Sequence, residues 1–273
     1  MPSNFDPGHA EYENAGFNFD GLTRKLFASH KRGFFRRKIP VEEMLQFQRD
    51  SISLPLLALN KSSHKEALKI FKNIQRIMTD KPRPKGSAVS DDIHYILERG
   101  IQQPDLRDET YLQICKQVTK NPNPESTFKG WELLAVVCVT YPPSKSFEEH
   151  IRRFIKGNSG NKDNRVRVLS AHCLLKMDRM CKAGPRGKVL TNAEIERARI
   201  AAFKPSPFGE TLDFIMDMQK VRLIGIPVPK ILVFLTVQIL KLNGLRTEGI
   251  FRVPGDAEAV TELVSCSNTI CQD

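Results

Sequence analysis

Apolar residues recur at helical spacing along most of the chain between residues 41 and 203. In one stretch the apolar positions are Ala67, Leu68, Phe71, Ile74, Ile77 and Met78, and Lys65, Lys69, Lys72 and Arg76 fall on the other side. This spacing predicts an amphipathic helix with one face in a core. The same pattern continues through the segment and predicts an all-α fold.

Several further helices follow from the pattern and from its start signals. Ser90-Asp91-Asp92 is typical of a helix start, and Leu106–Glu109 opens another helix with two acids in its first turn, where the helix dipole favours them. Trp131–Val139 is apolar on every side, so this helix is expected at the centre of the fold. Residues 166–180 predict one more long helix. Loops are predicted at 81–86, 121–124 and 157–160, which are rich in Pro, Gly and Asn.

The charge of the chain is unevenly spread. The 273 residues hold 42 Lys and Arg against 31 Asp and Glu, a net charge of +11 that favours acidic partners. Residues 24–38, the basic part of an N-terminal arm, carry seven cations and no acid, interleaved with phenylalanines: Arg24, Lys25, Lys31, Arg32, Arg36, Arg37 and Lys38. This composition suits acidic tubulin tails or an anionic membrane surface, and a purely solvated arm leading into the first helix stays the alternative. Nucleic acid is not expected as the partner.

Composition also excludes several classes of protein. The six cysteines show no paired spacing, which favours free thiols in a reducing compartment. The N-terminus lacks an apolar signal segment, and the longest apolar run, Ile231–Leu240, is half the length of a bilayer span. Neither the cysteines nor the histidines have ligand spacing, so no metal and no cofactor are predicted. We expect a cytoplasmic protein.

Four motifs in the central segment resemble the signature of the myosin tail homology 4 (MyTH4) domain. In chain order they are Leu106–Gln117, Asn121-Pro122, Gly130–Leu134 and Pro142–Ser144. The resemblance covers about 150 residues and implies a MyTH4 helical bundle over residues 36–203. It also implies association with the cytoskeleton and a role in binding partners.

A second resemblance lies in the last quarter of the chain. The run Thr247–Asp256, with Phe208-Gly209 and Ile226–Pro229 upstream, resembles the start of a Rho GTPase-activating (Rho GAP) domain. A MyTH4 domain followed by a Rho GAP domain resembles the Vilse/CrossGAP family. The resemblance implies that Arg252 is an arginine finger acting on a Rac/Cdc42-type GTPase, in a loop shaped by Gly249, Phe251 and Gly255. Judged from spacing alone, Arg252 pairs with Glu248 or Asp256 on the surface.

Together the two resemblances predict the organisation of the chain. The expected parts are a disordered basic arm (1–35), the MyTH4 domain (36–203), a linker (204–207), an incomplete Rho GAP helical segment (208–264) and a divergent tail (265–273). The helix over residues 228–242 is apolar on nearly every side. We therefore expect this part of the chain to be molten, to dock onto the surface of the MyTH4 domain, or to drive association between molecules.

The incomplete segment decides what the chain is expected to do. By resemblance we expect a regulator in cytoskeletal signalling that is not itself an enzyme. Because the Rho GAP segment is incomplete, we expect its GTPase-activating activity to be weak or absent. The alternatives are a MyTH4-based binding module or adaptor for microtubules or other acidic cytoskeletal partners, and a product without activity of its own.

Overall fold

The structure, a computed structural model, describes residues 26–29, 31–32, 37–204, 206–208, 211–218 and 228–270. It divides into two compact units, Met1–Ala202 and Phe203–Asp273. The elements of the first unit are β1 (Lys31–Arg32), β2 (Arg37–Lys38), α1 (Val41–Met44), α2 (Lys61–Ile77), α3 (Val89–Gln102), α4 (Asp105–Val118), α5 (Pro124–Cys138), α6 (Lys145–Gly157), α7 (Asn164–Ala183) and α8 (Asn192–Ile200). The second unit contains α9 (Leu212–Met218), α10 (Lys230–Lys241), a 3-10 turn (Gly244–Arg246) and α11 (Ala257–Ile270).

Helix α5 forms the centre of the first unit, as its all-round apolar sequence predicts. It packs against α2, α4, α7 and α8. Trp131 is buried and stacks on Phe154 of α6, with 5.9 Å between the ring centroids and 8° between the planes. The predicted all-α fold is confirmed, and the helices α2–α8 are called the bundle below.

Side chains at the helix starts fix where several helices of the bundle begin. Asn123 caps α5 by accepting hydrogen bonds from the backbone N–H groups of Glu125 and Ser126. At α8, Thr191 and Glu194 bond each other's backbone N–H groups in a capping box. Helix α3 begins at Val89, one residue before the predicted start at Ser90. At this end of the helix the Asp91 carboxylate accepts a hydrogen bond from the backbone N–H of Ala88.

A short stretch of the N-terminal arm is attached to the bundle. The backbone N–H of Ala28 donates to the carbonyl of Leu56, and the N–H of Ala58 donates to the carbonyl of Leu26. Phe27 is buried with Leu57 in a small apolar cluster beside the main core. Lys31 and Arg32 pair antiparallel with Lys38 and Arg37, whereas Arg24, Lys25 and Arg36 lie outside the described residues.

The second unit has few buried apolar side chains in its described part. Helix α10 buries Ile231, yet five of its other apolar residues are exposed: Leu232, Val233, Leu235, Val237 and Leu240. The helix is preceded by Pro229 and has no side-chain cap. The predicted boundaries of the parts of the chain, including the linker at 204–207, stay predictions.

Candidate functional site

The polar residues of the α4 motif face inward and hold the chain that precedes the bundle. Glu109 is fully buried and accepts hydrogen bonds from the backbone N–H groups of Leu56 and Leu57, both at 2.8 Å. The side-chain amide of Gln113 donates to the same carboxylate at 2.7 Å. Burial raises the pKa of Glu109 to about 7, although these three hydrogen bonds act in the opposite direction. The carboxylate therefore serves to fix residues 56–57.

Lys116 and Gln117 serve the same purpose about two turns after Glu109 on α4. The Lys116 ammonium donates to the carbonyls of Met44 at 2.7 Å and Gln46 at 2.5 Å. Gln117 bonds both the N–H and the carbonyl of Gln48. Burial lowers the pKa of Lys116 to about 8. The motif thus positions residues 44–57, and these side chains are not available to a partner.

Arg107 and Asp108 complete this internal role. The Arg107 guanidinium donates to the carbonyl of Gly100 at 2.7 Å, which ties α4 to the end of α3. The Asp108 carboxylate accepts from the backbone N–H of Ser144 at 2.7 Å, which fixes the start of α6. Burial raises the pKa of Asp108. The most charged part of the signature is therefore structural.

The outward side of α2 presents a row of cations. Lys61, Lys65, Lys69 and Lys72 are all exposed, and at 100° per residue they fall within a sector of about 80°. The rise from Lys61 to Lys72 is about 16 Å. We call these four side chains the lysine face. Lys69 also lies over the ring of Tyr95 on α3, with its Nζ 3.9 Å from the centroid.

The lysine face has no ion-pair partner within the described part of the chain. Glu66, the one acid of α2, accepts a hydrogen bond from the Tyr95 hydroxyl on the flank of the helix. Several arginines of the first unit do have carboxylate partners: Arg76 and Arg83 share Asp92, and Arg152 contacts Glu148, Glu149 and Asp178. The sequence already placed lysines on this side of α2, but their lack of carboxylate partners requires the fold.

The positive charge of the whole chain lies on the first unit. Residues 37–202 contain 30 Lys and Arg against 19 Asp and Glu, a net charge of +11, whereas residues 203–273 contain 7 against 8. The arm before residue 37 has a net charge of +1, because four acids near the N-terminus offset its cations. The bundle, rather than the arm, is therefore the main cationic surface.

The predicted site around Arg252 is an exposed loop in the second unit. The Arg252 side chain is 79% exposed, and its nearest carboxylate is Glu248 at 3.9 Å. Phe251 is 87% exposed. Gly249 has a φ of +74°, a conformation that favours glycine, so its place in the turn has a steric reason. Whether Gly249, Phe251 and Gly255 shape this loop for any partner stays a prediction.

The described residues contain neither a metal site nor a membrane-spanning helix. No group of three or more His, Cys, Asp or Glu side chains is arranged to hold a metal ion there. In the same residues, no helix has the length and apolar character that crossing a bilayer requires.

Comparison with known proteins shows what the bundle is similar to. Residues 93–197 match the MyTH4 domain family. The high molecular weight form of myosin-1 from Acanthamoeba castellanii is 35% identical over 126 residues, which is 46% of this chain and 8% of that protein. The kinesin-like protein KIN-14I of Oryza sativa is 29% identical over 192 residues, covering 64% of this chain and 15% of that protein. The chain thus matches only a small part of each relative's length.

Solved structures agree with this assignment. The C-terminal MyTH4-FERM domain of human myosin 7b, solved in complex with the harmonin-a PDZ3 domain, aligns with a TM-score of 0.53 and 29% identity, covering 59% of this chain and 33% of that one. The MyTH4-FERM MF2 domain of Dictyostelium discoideum myosin VII aligns with a TM-score of 0.54 and 30% identity, covering 58% and 33%.

These findings correct the predicted identity. The identification as a Vilse/CrossGAP-type Rho GAP is wrong: the matches support a MyTH4 domain with myosin and kinesin-like relatives and give no support to a Rho GAP domain. The comparisons likewise give no support to three predictions that depended on this identification: GTPase activation, the role of Arg252 as an arginine finger, and a Rac/Cdc42-type partner. The physical reason is that this resemblance rested chiefly on the short run Thr247–Asp256, which in the structure forms a largely exposed loop and specifies little beyond a turn. Gly209, Ile226 and Pro227 of the two upstream runs lie outside the described residues.

Two other predictions agree with the comparisons. The MyTH4 domain that residues 93–197 match is a non-catalytic binding module, as the predicted binding role requires. The predicted cytoplasmic, cytoskeleton-associated localisation is confirmed by relatives that are myosins and kinesin-like proteins. In sequence and in fold, the bundle is similar to the MyTH4 domains of cytoskeletal motor proteins.

Proposed function

We propose that this chain is a non-catalytic binding module that recruits an acidic cytoskeletal partner, with microtubules as the partner to test first. The observation that carries the proposal is the net charge of +11 on residues 37–202, which equals the net charge of the entire chain. A surface of this sign attracts acidic polymers and speeds their encounter.

The internal role of the α4 motif supports a binding function. The bundle uses Glu109, Asp108 and Lys116 to fix its own loops, so the charged groups left for a partner are on its outer surface. The relatives supply the cellular context, because they are myosins and kinesin-like proteins.

Co-sedimentation of the full chain with stabilised microtubules tests the proposal. We expect saturable binding at low ionic strength that weakens as salt is raised, since exposed charges are screened beyond about 8–10 Å at 0.1–0.15 M salt. Chain centrifuged without microtubules controls for self-association. A chain that stays in the supernatant at every salt concentration contradicts the proposed function.

A further inference from the structure

We propose that the lysine face of α2 is the docking site for a linear acidic segment of the partner, rich in Glu or Asp. The inference rests on the proposed function and adds to it the surface and the chemistry of the ligand. It is argued from charge complementarity, from the shape of the cationic row and from the burial of the opposite side of α2.

The shape of the row fits a single extended chain. Lys61, Lys65 and Lys69 are each four residues apart, so their Cα atoms are spaced by about 6 Å along the helix axis. Alternate side chains of an extended peptide point to the same side and are spaced by about 6.6 Å. Every second carboxylate of an acidic segment can therefore meet successive lysines, and about five or six residues cover the whole row.

The row is unfavourable for the isolated helix. Like charges four residues apart repel each other across the surface of a helix. Neighbouring acids relieve such repulsion at Arg76 and Arg152, but Glu66 is bonded to the Tyr95 hydroxyl. A partner that supplies the missing carboxylates removes the repulsion, so binding is favoured at this row more than at isolated lysines.

The opposite side of α2 argues against a membrane as the occupant. Ala67, Ile70, Phe71 and Ile74 are fully buried in the core of the bundle, so α2 has no free apolar face to insert between lipids. The cations also form a narrow row rather than a broad plane. A linear protein segment suits this surface better than a flat layer of headgroups.

A matched pair of variants tests the proposal in the full chain. In the first, Lys61, Lys65, Lys69 and Lys72 are replaced by Gln, which has good helix propensity. In the control, Lys156, Lys162, Lys182 and Lys188 are replaced by Gln; all four are exposed residues elsewhere on the bundle, so both variants lose the same charge. The probe is a fluorescent peptide of about eight glutamates, long enough to cover the row at about 3.3 Å per residue.

Fluorescence anisotropy at low salt is expected to show that the parent chain binds the peptide. The affinity should fall about tenfold or more in Lys61/65/69/72→Gln and change less than about threefold in the control variant. Circular dichroism checks that both variants keep the helical fold. Equal weakening by both variants overturns the inference, because charge alone then explains binding. Unchanged binding by the first variant also overturns it.

Two further measurements separate this inference from the proposed function. If microtubules bind the parent and Lys61/65/69/72→Gln equally well, the docking site is wrong while the function stands. If neither microtubules nor the glutamate peptide bind the parent, both fail. Preferential binding of the parent to phosphatidylserine vesicles, with no binding to the peptide, overturns the inference in favour of a lipid surface.

Discussion

Helices α4 and α10 reverse the usual relation between polarity and burial. On α4, the polar side chains of Glu109, Gln113 and Lys116 are inside the first unit, and each is hydrogen-bonded to neighbouring backbone or side-chain groups. On α10, leucines and valines are exposed, and Leu240 retains 49% of its accessible surface. Both helices are regular over their full length, so the difference does not lie in helix formation.

The difference shows that burial is decided by what surrounds a helix. The polar groups of α4 are tolerated inside because residues 44–57 offer backbone N–H and carbonyl groups at bonding distance. The apolar groups of α10 are exposed because the described part of the second unit packs few side chains against them. The first unit is therefore expected to respond strongly to substitutions, and the second weakly.

The largest expected effect is the contrast between two leucine truncations. Leu134 of α5 is fully buried, so Leu134→Ala is expected to lower the free energy of unfolding of the bundle by about 2–5 kcal/mol through lost burial and a cavity. Leu240→Ala is expected to change stability by less than about 0.5 kcal/mol. Urea unfolding followed by circular dichroism measures both. A large loss in Leu240→Ala would show that α10 is packed in solution.

A second expected effect comes from the pH dependence of Glu109. Its pKa is about 7 in the folded chain and 4.5 ordinarily. Between these values the folded chain binds more protons than the unfolded chain, so the contribution of Glu109 is fully present below pH 4.5 and is lost as pH rises through 7. The loss is on the order of 3 kcal/mol.

The comparison with Glu109→Gln isolates this contribution from the other acids. The difference in unfolding free energy between the parent and Glu109→Gln should change with pH over this window and become constant above it. Trp131, the single tryptophan, reports unfolding of the bundle by its fluorescence. A difference that does not change between pH 4.5 and 7 would mean that Glu109 is charged in the folded chain over this whole range. The hydrogen bonds from Leu56 and Leu57 would then outweigh the effect of burial on its pKa.

The sequence predicts the helices of the bundle well because their cores are apolar at regular spacing. The central position of α5 follows directly from the run Trp131–Val139. The sequence does not reveal that Lys116 and Gln117 point inward, because polar residues between apolar ones indicate an outer face unless a partner backbone is known. Helix α4 therefore has polar residues buried on sides that the pattern assigns to solvent.

The functional surface is only partly predictable for a related reason. The pattern places lysines on the outer side of α2, but the pairing of other cations with Asp92 or Asp178 depends on contacts between helices distant in sequence. The Rho GAP resemblance failed because a short exposed loop such as the one around Arg252 carries turn chemistry that many proteins share. Longer motifs distributed over several helices, as in the bundle, are more specific.

A smaller effect is expected at the start of α5. The Asn123 side chain accepts from two backbone N–H groups that have no partner within the helix, so Asn123→Ala should destabilise the bundle by about 1 kcal/mol. Asn123→Asp, which keeps the acceptor, is the control and should retain most of the stability. Trp131 fluorescence during urea unfolding measures both variants. Equal losses would show that the site acts through packing rather than capping.

The smallest effect is expected at Arg252, and it sharpens the contrast between the two units most directly. The guanidinium is largely exposed and lies 3.9 Å from Glu248, an arrangement in which an ion pair contributes little because water and salt screen it. Arg252→Ala should therefore change the unfolding free energy by less than about 0.5 kcal/mol. Circular dichroism of the parent, Arg252→Ala and Glu248→Ala under urea gives the comparison. A loss above about 1 kcal/mol in both variants would mean that the loop is held by the second unit as firmly as α4 holds residues 44–57 in the first, and the weak packing of the second unit inferred from α10 would then be wrong.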